Sequence, residues 1–318
     1  MAHADSRKVV LAALAGNVAI AAFKFAAAIP SHSSATLAEA VHSLADAGNQ
    51  GLLLVGMSLA ARPANDRFPF GRASERYFWP FVVAMVLFSG GGAFAIFDGI
   101  QTLRRPEVET HPRVWSYAVL SVSLVVEALS LRVAMGEFRK LAAGRSVRQA
   151  MLETRDPTVP LVLAEDATAM AGLVLALAAV GASGLTGQNI WDPIGSIVIG
   201  VLLCSVAFML AKISHGLIIG ESATREDQAR VLELASSVEG VVRVTQLLAM
   251  HLGPDDVLLA MKVAFRPTLS VEQVEQATNA LESRIRSALP HMRKIFVEAD
   301  SQGDLRGVGG PTRKPISG

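Results

Sequence analysis

Six apolar stretches, each long enough to cross a lipid bilayer, dominate this chain of 318 residues. In hydrocarbon every backbone N–H and C=O needs a partner within the chain, so a stretch that crosses the bilayer has to be helical. About 20 helical residues span the roughly 30 Å of hydrocarbon. The composition agrees, because 51% of the residues are hydrophobic and only 18% are charged, which is too apolar for an ordinary soluble chain. We predict spans over residues 8–29, 34–61, 77–101, 113–138, 159–182 and 190–213.

The basic residues predict how these spans are oriented. The connections after the second and fourth spans carry several lysines and arginines, whereas those around 31–34 and 183–189 carry none. Only the third connection, with three arginines, departs from this alternation. Because Lys and Arg accumulate on the cytoplasmic side of a membrane, we place both termini there. We therefore expect a multi-pass integral protein in the lipid bilayer of the inner or plasma membrane.

After about residue 213 the sequence takes on the mixed polar and apolar character of a soluble domain. Ser270 with Gln273 predicts a capping box at the start of its second helix. Helical periodicity and strand-like alternation predict the order αββαβ, over residues 226–237, 240–252, 257–265, 270–289 and 294–299. We therefore predict an α-helical membrane domain of six transmembrane helices over 1–213, a small cytoplasmic α+β, ferredoxin-like domain over 214–304, and a disordered tail over 305–318.

Some function classes are excluded by the charge and by missing motifs. The net charge of +1 is not the strong basic excess of a nucleic-acid-binding protein. The sequence has neither a nucleotide-binding loop of the type Gly-x-x-x-x-Gly-Lys-Ser/Thr nor a metalloprotease motif of the type His-Glu-x-x-His. We therefore expect no nucleic-acid partner, no enzymatic activity and no resident cofactor.

The second apolar stretch contains a stripe of ionisable residues, Glu39, His42 and Asp46. Positions i, i+3 and i+7 lie on one face of a helix. Ionisable groups are costly inside a membrane and usually face a polar pathway or one another. Imidazole and carboxylate together are ligand types for a divalent transition metal. His42 alone could be a core histidine, but the two acids on its face favour a metal role.

The fifth predicted span holds two adjacent acids, Glu165 and Asp166, in an apolar run. Adjacent helical residues project about 100° apart, so both can join one site only if the seam between helices passes between them. The alternative is a solvated first helical turn after Pro160, where acidic residues are favoured.

Four short motifs, in order over nearly the whole chain, resemble the cation diffusion facilitator family. They are Ser-Leu-Ala-Asp at 43–46, Pro-Phe-Gly-Arg at 69–72, Asp192-Pro193 and Gly220-Glu221-Ser222. Within that family, the sequences at 39–50 and 76–79 resemble the branch of zinc transporter 9 and its bacterial relatives. The resemblance implies a homodimer that exports divalent metal cations, mainly zinc, from the cytoplasm in exchange for protons.

The resemblance also implies a membrane metal site made from two pairs of residues, each pair four apart, on the second and fifth spans. The downstream position on the fifth span corresponds to Asp166, and the upstream position to Val162, which cannot bind metal. The ligands that we predict are His42, Asp46 and Asp166, with Glu165 or Glu39 as the fourth.

Two further metal sites of the family differ here. Phe68 and Arg72 stand where many relatives have two histidines after the second span, so we predict no metal there. In the cytoplasmic domain, Glu298 and Asp300 share a strand face, and both weak metal binding and a solvated edge remain open.

Three questions stay open from the sequence. Mixed His and carboxylate ligands suit zinc, but also iron(II), manganese and cobalt. A membrane metal-binding regulator that has lost transport is a second reading, because Val162 interrupts the ligand set. The roles of Lys24, Glu127 and Arg132, in structural pairing or in a proton path, are undecided.

Overall fold

The apolar stretches of the sequence are helical. A computed structural model describes residues 2–31, 34–104, 113–142, 156, 158–188 and 190–300. Within these ranges, side chains are described except at 2–6, 24, 27–31, 34–43, 113–116, 137, 140–142 and 159. The N-terminal unit, Met1–Ile219, contains α1 (Ala2–Ser31), α2 (Ser34–Ala60), α3 (Glu75–Val86), a π-helical segment (Leu87–Ala93), α4 (Phe94–Arg104), α5 (Arg113–Ala142), α6 (Thr158–Thr186) and α7 (Trp191–Ile219).

Four helical segments among the described residues are long and apolar enough to cross a membrane. They are Glu75–Arg104, Tyr117–Gly136, Pro160–Thr186 and Trp191–Ile219, and they coincide with the third to sixth predicted spans, which are confirmed. The first of them joins α3, the π-helical segment and α4 into one continuous helix. Helices α1 and α2 cover the first two predicted ranges, and their passage through the membrane stays a prediction.

The helices of this unit are apolar on both their inner and outer faces. Outside, Phe94 and Phe208 are 63% and 71% exposed, as expected of helices that are surrounded by hydrocarbon rather than by water. Inside, one cluster joins α1, α2, α3, α6 and α7, with members that include Val10, Leu53, Val83, Val162 and Leu210.

Glycines bring the third span and α7 into backbone contact. A Cβ atom added at Gly92 would lie 2.5 Å from Cys204 Sγ, and one added at Gly200 would lie 2.8 Å from the carbonyl oxygen of Gly92. Small residues of this kind allow helices in a membrane to approach closely. Gly92 lies in the π-helical segment, so the irregular part of the third span takes part in this close packing against α7.

The second unit, Gly220–Gly318, is a small α+β domain. Its elements are α8 (Arg225–Ser236), β1 (Val241–Gly253), β2 (Asp256–Phe265), α9 (Val271–Ala288) and β3 (Lys294–Asp300). The central strand β2 pairs antiparallel with β1 and parallel with β3. The predicted order αββαβ is confirmed, while the tail predicted over 305–318 lies outside the described residues.

Local signals explain where these elements begin. The hydroxyl of Thr224 accepts the backbone N–H of Asp227 at 3.1 Å and caps α8. The predicted capping box of α9 is confirmed: Ser270 Oγ accepts the N–H of Gln273 at 3.2 Å, and Gln273 Oε1 accepts the N–H of Ser270 at 2.9 Å. One apolar core, with Val231, Leu259 and Leu281 buried in it, joins both helices to the sheet.

Candidate metal centre

Helix α2 presents a polar face to the interior of the N-terminal unit, which is called the membrane unit from here on. Asp46, Asn49 and Gln50 are spaced at i, i+3 and i+4, so they share one face, and they are 7%, 4% and 0% exposed. Glu39 and His42 belong to the same helix, but their side chains lie outside the described part. Their role as ligands therefore stays a prediction.

Both acids of α6 are buried. Glu165 is 5% exposed and Asp166 is 2% exposed, so they do not belong to a solvated helix start, and that alternative is wrong. The two side chains meet different neighbours, as their angular separation requires. Glu165 accepts hydrogen bonds from α2, whereas Asp166 Oδ2 accepts one from Ser130 Oγ of α5 at 3.0 Å.

Asp46 connects the two acids. It interacts electrostatically with both Glu165 and Asp166, which places three carboxylates from α2 and α6 in one region of the membrane unit. Such a group needs positive charge or protons, because like charges in a low-dielectric interior repel one another strongly. Both a cation and protons can supply that compensation.

Three amide side chains support Glu165, and none of them is among the ligands predicted from the sequence. Asn49 Nδ2 donates to Glu165 Oε1 at 2.7 Å, and Gln50 Nε2 donates to Glu165 Oε2 at 3.4 Å. Gln50 Oε1 in turn accepts a hydrogen bond from Asn17 Nδ2 of α1 at 3.1 Å. The signal that could have found Asn49 and Gln50 is their spacing, because they follow Asp46 by three and four residues.

Helix α5 adds a further polar stripe. Ser123, Glu127 and Ser130 follow one another at i, i+4 and i+7, which places them on one face. Ser123 and Glu127 are 2% and 4% exposed, and Glu127 interacts electrostatically with Glu165. Glu127 thus lies close to the acids of α6, although the sequence alone left its role open.

A cavity of about 250 Å³ leads to Asp166. Its walls are almost entirely apolar side chains of α1 and α5, and Ser130 and Asp166 are its polar members. The lining includes Ala13, Gly16 and Ile20 of α1 and Val126 and Val133 of α5. Asp166 can therefore be reached between these two helices, whereas Glu165 does not line the cavity.

The other predicted features of the centre are described in part. Val162, at the expected place of a ligand, is 0% exposed within the apolar cluster of the membrane unit. No group of three or more His, Cys, Asp or Glu side chains within the described residues is arranged to hold a metal ion. The predicted ligand set thus remains a prediction, with two of its members, Glu39 and His42, outside the described side chains.

The residues in place of the loop histidines form a different arrangement. The guanidinium groups of Arg67 and Arg72 lie 5.5 Å and 4.7 Å from the ring centre of Phe68, within cation–π distance. Glu75 accepts from Arg72 Nε at 3.1 Å and from Trp79 Nε1 at 2.9 Å. The guanidinium groups of two arginines thus pack around Phe68, where the family pattern has metal-binding histidines.

In the cytoplasmic domain, the two acids of β3 each have their own partner. Glu298 pairs with Lys262 at 3.1 Å, and Asp300 Oδ2 accepts the hydroxyl hydrogen of Thr245 at 2.5 Å. Both acids therefore have a polar partner on a neighbouring strand. This arrangement favours a solvated edge over a shared metal.

Comparison with known protein families matches both units of the chain. The Cation efflux transmembrane domain matches residues 10–218, and the Cation efflux protein, cytoplasmic domain (ZT_dimer) matches residues 223–302. These are families of transporters rather than of enzymes.

Individual relatives agree with these matches. The chain is 34% identical to the proton-coupled zinc antiporter SLC30A9, mitochondrial, of Xenopus laevis over 81% of this chain and 46% of that protein. It is 31% identical to metal tolerance protein C4 of Arabidopsis thaliana over 94% of this chain and 64% of that protein. The chain thus spans about half the length of the SLC30A9 relatives it matches. A solved nickel form of a MamM CTD variant aligns with 25% of this chain and 99% of its own, at 25% identity and a TM-score of 0.24.

Proposed function

The chain belongs to the cation efflux family. From that premise we propose that it exports a divalent transition metal in exchange for protons, with zinc as the favoured metal. One observation carries the proposal: three carboxylates, Asp46 of α2 and Glu165 and Asp166 of α6, are buried and interact electrostatically. Burying ionisable groups inside a membrane is costly, and proteins retain them chiefly for substrate or proton pathways. A divalent cation as cargo accounts for all three.

Zinc is the preferred metal for two reasons. His42 together with carboxylates is a ligand set that suits zinc, and the SLC30A9 relatives are named as zinc antiporters. Iron(II), manganese and cobalt are the alternatives, because a set dominated by oxygen atoms suits these harder ions. Transport with each of the four metals distinguishes them.

Proton exchange follows from the chemistry of the ligands. Carboxylates and neutral imidazole bind metal only after losing protons, so metal and protons exclude one another. A site that receives metal on one side and returns protonated from the other couples the two movements. Alternating access around a site near the bilayer midplane supplies the movement across the membrane.

Assembly and membrane placement belong to the same proposal. A homodimer is supported by the match of residues 223–302 to the ZT_dimer family. The excess of Lys and Arg in the second and fourth connections favours cytoplasmic termini, in the inner or plasma membrane.

The test is zinc-driven proton flux in liposomes that contain the purified full chain. An inward zinc gradient is expected to raise the luminal pH, as protons leave in exchange. His42→Ala and Asp46→Ala are expected to abolish this signal while the dimer remains intact on size-exclusion chromatography. Ser183→Ala is the control, because Ser183 is a buried polar residue like Asp46 but belongs to α6, about 25 Å along that helix from Asp166.

Two results contradict the proposal in different ways. Unchanged flux in both variants removes His42 and Asp46 from the site. Saturable zinc binding by the unaltered chain without any proton movement contradicts antiport and indicates the membrane metal-binding regulator instead.

A further inference from the structure

The two oxygens of Glu165 are held unequally. Asn49 Nδ2 lies 2.7 Å from Oε1, a short hydrogen bond, whereas Gln50 Nε2 lies 3.4 Å from Oε2, near the limit of a hydrogen bond. One oxygen of the carboxylate is thus anchored to α2, and the other is only weakly held.

The anchor is itself fixed from a third helix. Asn17 of α1 donates to Gln50 Oε1 at 3.1 Å, and Asn17, Asn49 and Gln50 are 3%, 4% and 0% exposed. A chain of buried amides therefore runs from α1 through α2 to Glu165 on α6. Its members are enclosed by the helices, so they hold Glu165 in one orientation.

This orientation directs Glu165 towards the face of Asp46. Asn49 and Gln50 follow Asp46 by one helical turn on the same face of α2, and Asp46 interacts electrostatically with Glu165 as well as with Asp166. Metal ligands in proteins are usually oriented by hydrogen bonds from a further layer of residues. Asn49 stands in that relation to Glu165.

We propose that Asn49, supported by Asn17 and Gln50, positions Glu165 as the fourth ligand of the transported metal. Asn49 retains Oε1, and the weakly held Oε2 exchanges its contact with Gln50 for the metal. Glu165 then supplies the ligand that Val162, buried in the apolar cluster, does not. The inference rests on the proposed function, and it selects Glu165 over Glu39.

The experiment measures both zinc binding and zinc transport by the full chain. Binding is measured by calorimetry in detergent, and transport by the proton flux of liposomes as the zinc concentration is varied. The variants are Asn49→Ala, Glu165→Ala, the double variant and Glu39→Ala. Thr168→Val is the matched control, because Thr168 is a buried residue of α6 whose hydroxyl donates to the carbonyl of Ala164 on its own helix at 2.6 Å.

Loss of Asn49 is expected to raise both Kd and KM for zinc by about 10–100-fold, the usual effect of removing a residue that orients a metal ligand. Glu165→Ala is expected to have at least that effect. The double variant is expected to be no worse than Glu165→Ala, because Asn49 acts only through Glu165. Thr168→Val is expected to keep the Kd of the unaltered chain, and Glu39→Ala is expected to raise Kd less than Glu165→Ala does. If Asn49→Ala does not fold, Asn49→Ser keeps a shorter donor and is expected to raise Kd by a smaller factor.

Several results overturn the inference. An unchanged Kd in both Asn49 variants removes the positioning role. Effects of Asn49→Ala and Glu165→Ala that add up indicate that Asn49 acts independently, and a large loss of binding in Glu39→Ala makes Glu39 the fourth ligand. An unaltered chain that binds zinc in an Asn49-dependent way but moves no protons refutes the proposed antiport and leaves this inference intact. A chain that binds no zinc refutes both.

Discussion

The glycine contact between the third span and α7 allows a prediction with a worked magnitude. A Cβ atom at Gly200 would lie 2.7 Å from Ile96 Cγ1, 2.8 Å from the oxygen of Gly92 and 2.9 Å from the nitrogen of Ile96. Carbon atoms in ordinary contact lie about 3.5–4.0 Å apart. Two of the three obstructing atoms belong to the backbone, so Gly200→Ala has to push the helices apart, because rotating one side chain does not remove the clash.

The expected cost follows from two opposing effects. Overpacking a well-packed interior costs about 1–3 kcal/mol, and the backbone obstruction puts Gly200→Ala at the upper end of that range. Alanine in place of glycine within a helix offsets up to about 1 kcal/mol. The net loss in the free energy of unfolding is therefore about 2 kcal/mol, which corresponds to a Tm lower by roughly 4–8 °C for a unit of this size.

The assay is thermal unfolding of the purified full chain in detergent, with Gly172→Ala as the matched control. Gly172 lies in α6, and a Cβ atom there would meet only Ile199 Cγ2 at 3.6 Å, which is ordinary contact. Gly172→Ala is expected to leave Tm unchanged or to raise it slightly, because helix propensity improves without a clash. The close approach of the third span and α7 is refuted if Gly200→Ala unfolds at or above the temperature of Gly172→Ala.

Two further predictions concern a buried ion pair and the pH dependence of transport. Arg76 pairs with Asp156, and their side chains are 4% and 19% exposed, so Asp156→Asn removes a carboxylate that pairs with a buried guanidinium. The expected loss in the free energy of unfolding is about 3 kcal/mol, the lower end for breaking a buried pair. It is measured as a lower Tm in the same thermal assay. An unchanged Tm means that the pair contributes nothing to stability. For transport, the KM for zinc is expected to rise as the pH falls from about 7.5 to 6, because carboxylate and imidazole ligands bind metal only in their deprotonated forms. A KM that stays constant across this range contradicts competition between metal and protons.

The apolar runs were enough to predict the helices, but not their ends. The sixth span was predicted to end at residue 213, just after Lys212, yet α7 continues to Ile219. Lysine does not end a helix, because its long side chain lies along apolar surface while the ammonium group reaches water. The capping box at Ser270 was predictable because it depends only on residues close in sequence. The π-helical segment over Leu87–Ala93 contacts α7 through Gly92, and an apolar run alone does not predict a contact between residues so far apart in sequence.

The site was predictable as a set of residue types and not as a set of contacts. Asp46, Glu165 and Asp166 stand out in sequence because acids are rare in apolar spans. Which neighbour each acid meets depends on how α6 is rotated against α2 and α5, and packing between distant residues decides that rotation. The partners Asn49 and Ser130 therefore became evident only when the helices were seen together.

In the proposed site, the rotation of α6 accounts for the apolar residue at position 162. Val162 is buried in the apolar cluster. Glu165 then contacts α2 and Asp166 contacts α5, so the seam between α2 and α5 passes between these two acids of α6. Asp46 interacts with both because it lies at that seam. A carboxylate moved from position 162 to position 165 shifts by three residues, which is nearly one helical turn, and remains on the same side of the helix. The proposed replacement of a ligand at 162 by Glu165 therefore needs only an anchor on α2, and Asn49 donates a hydrogen bond to Glu165 from there.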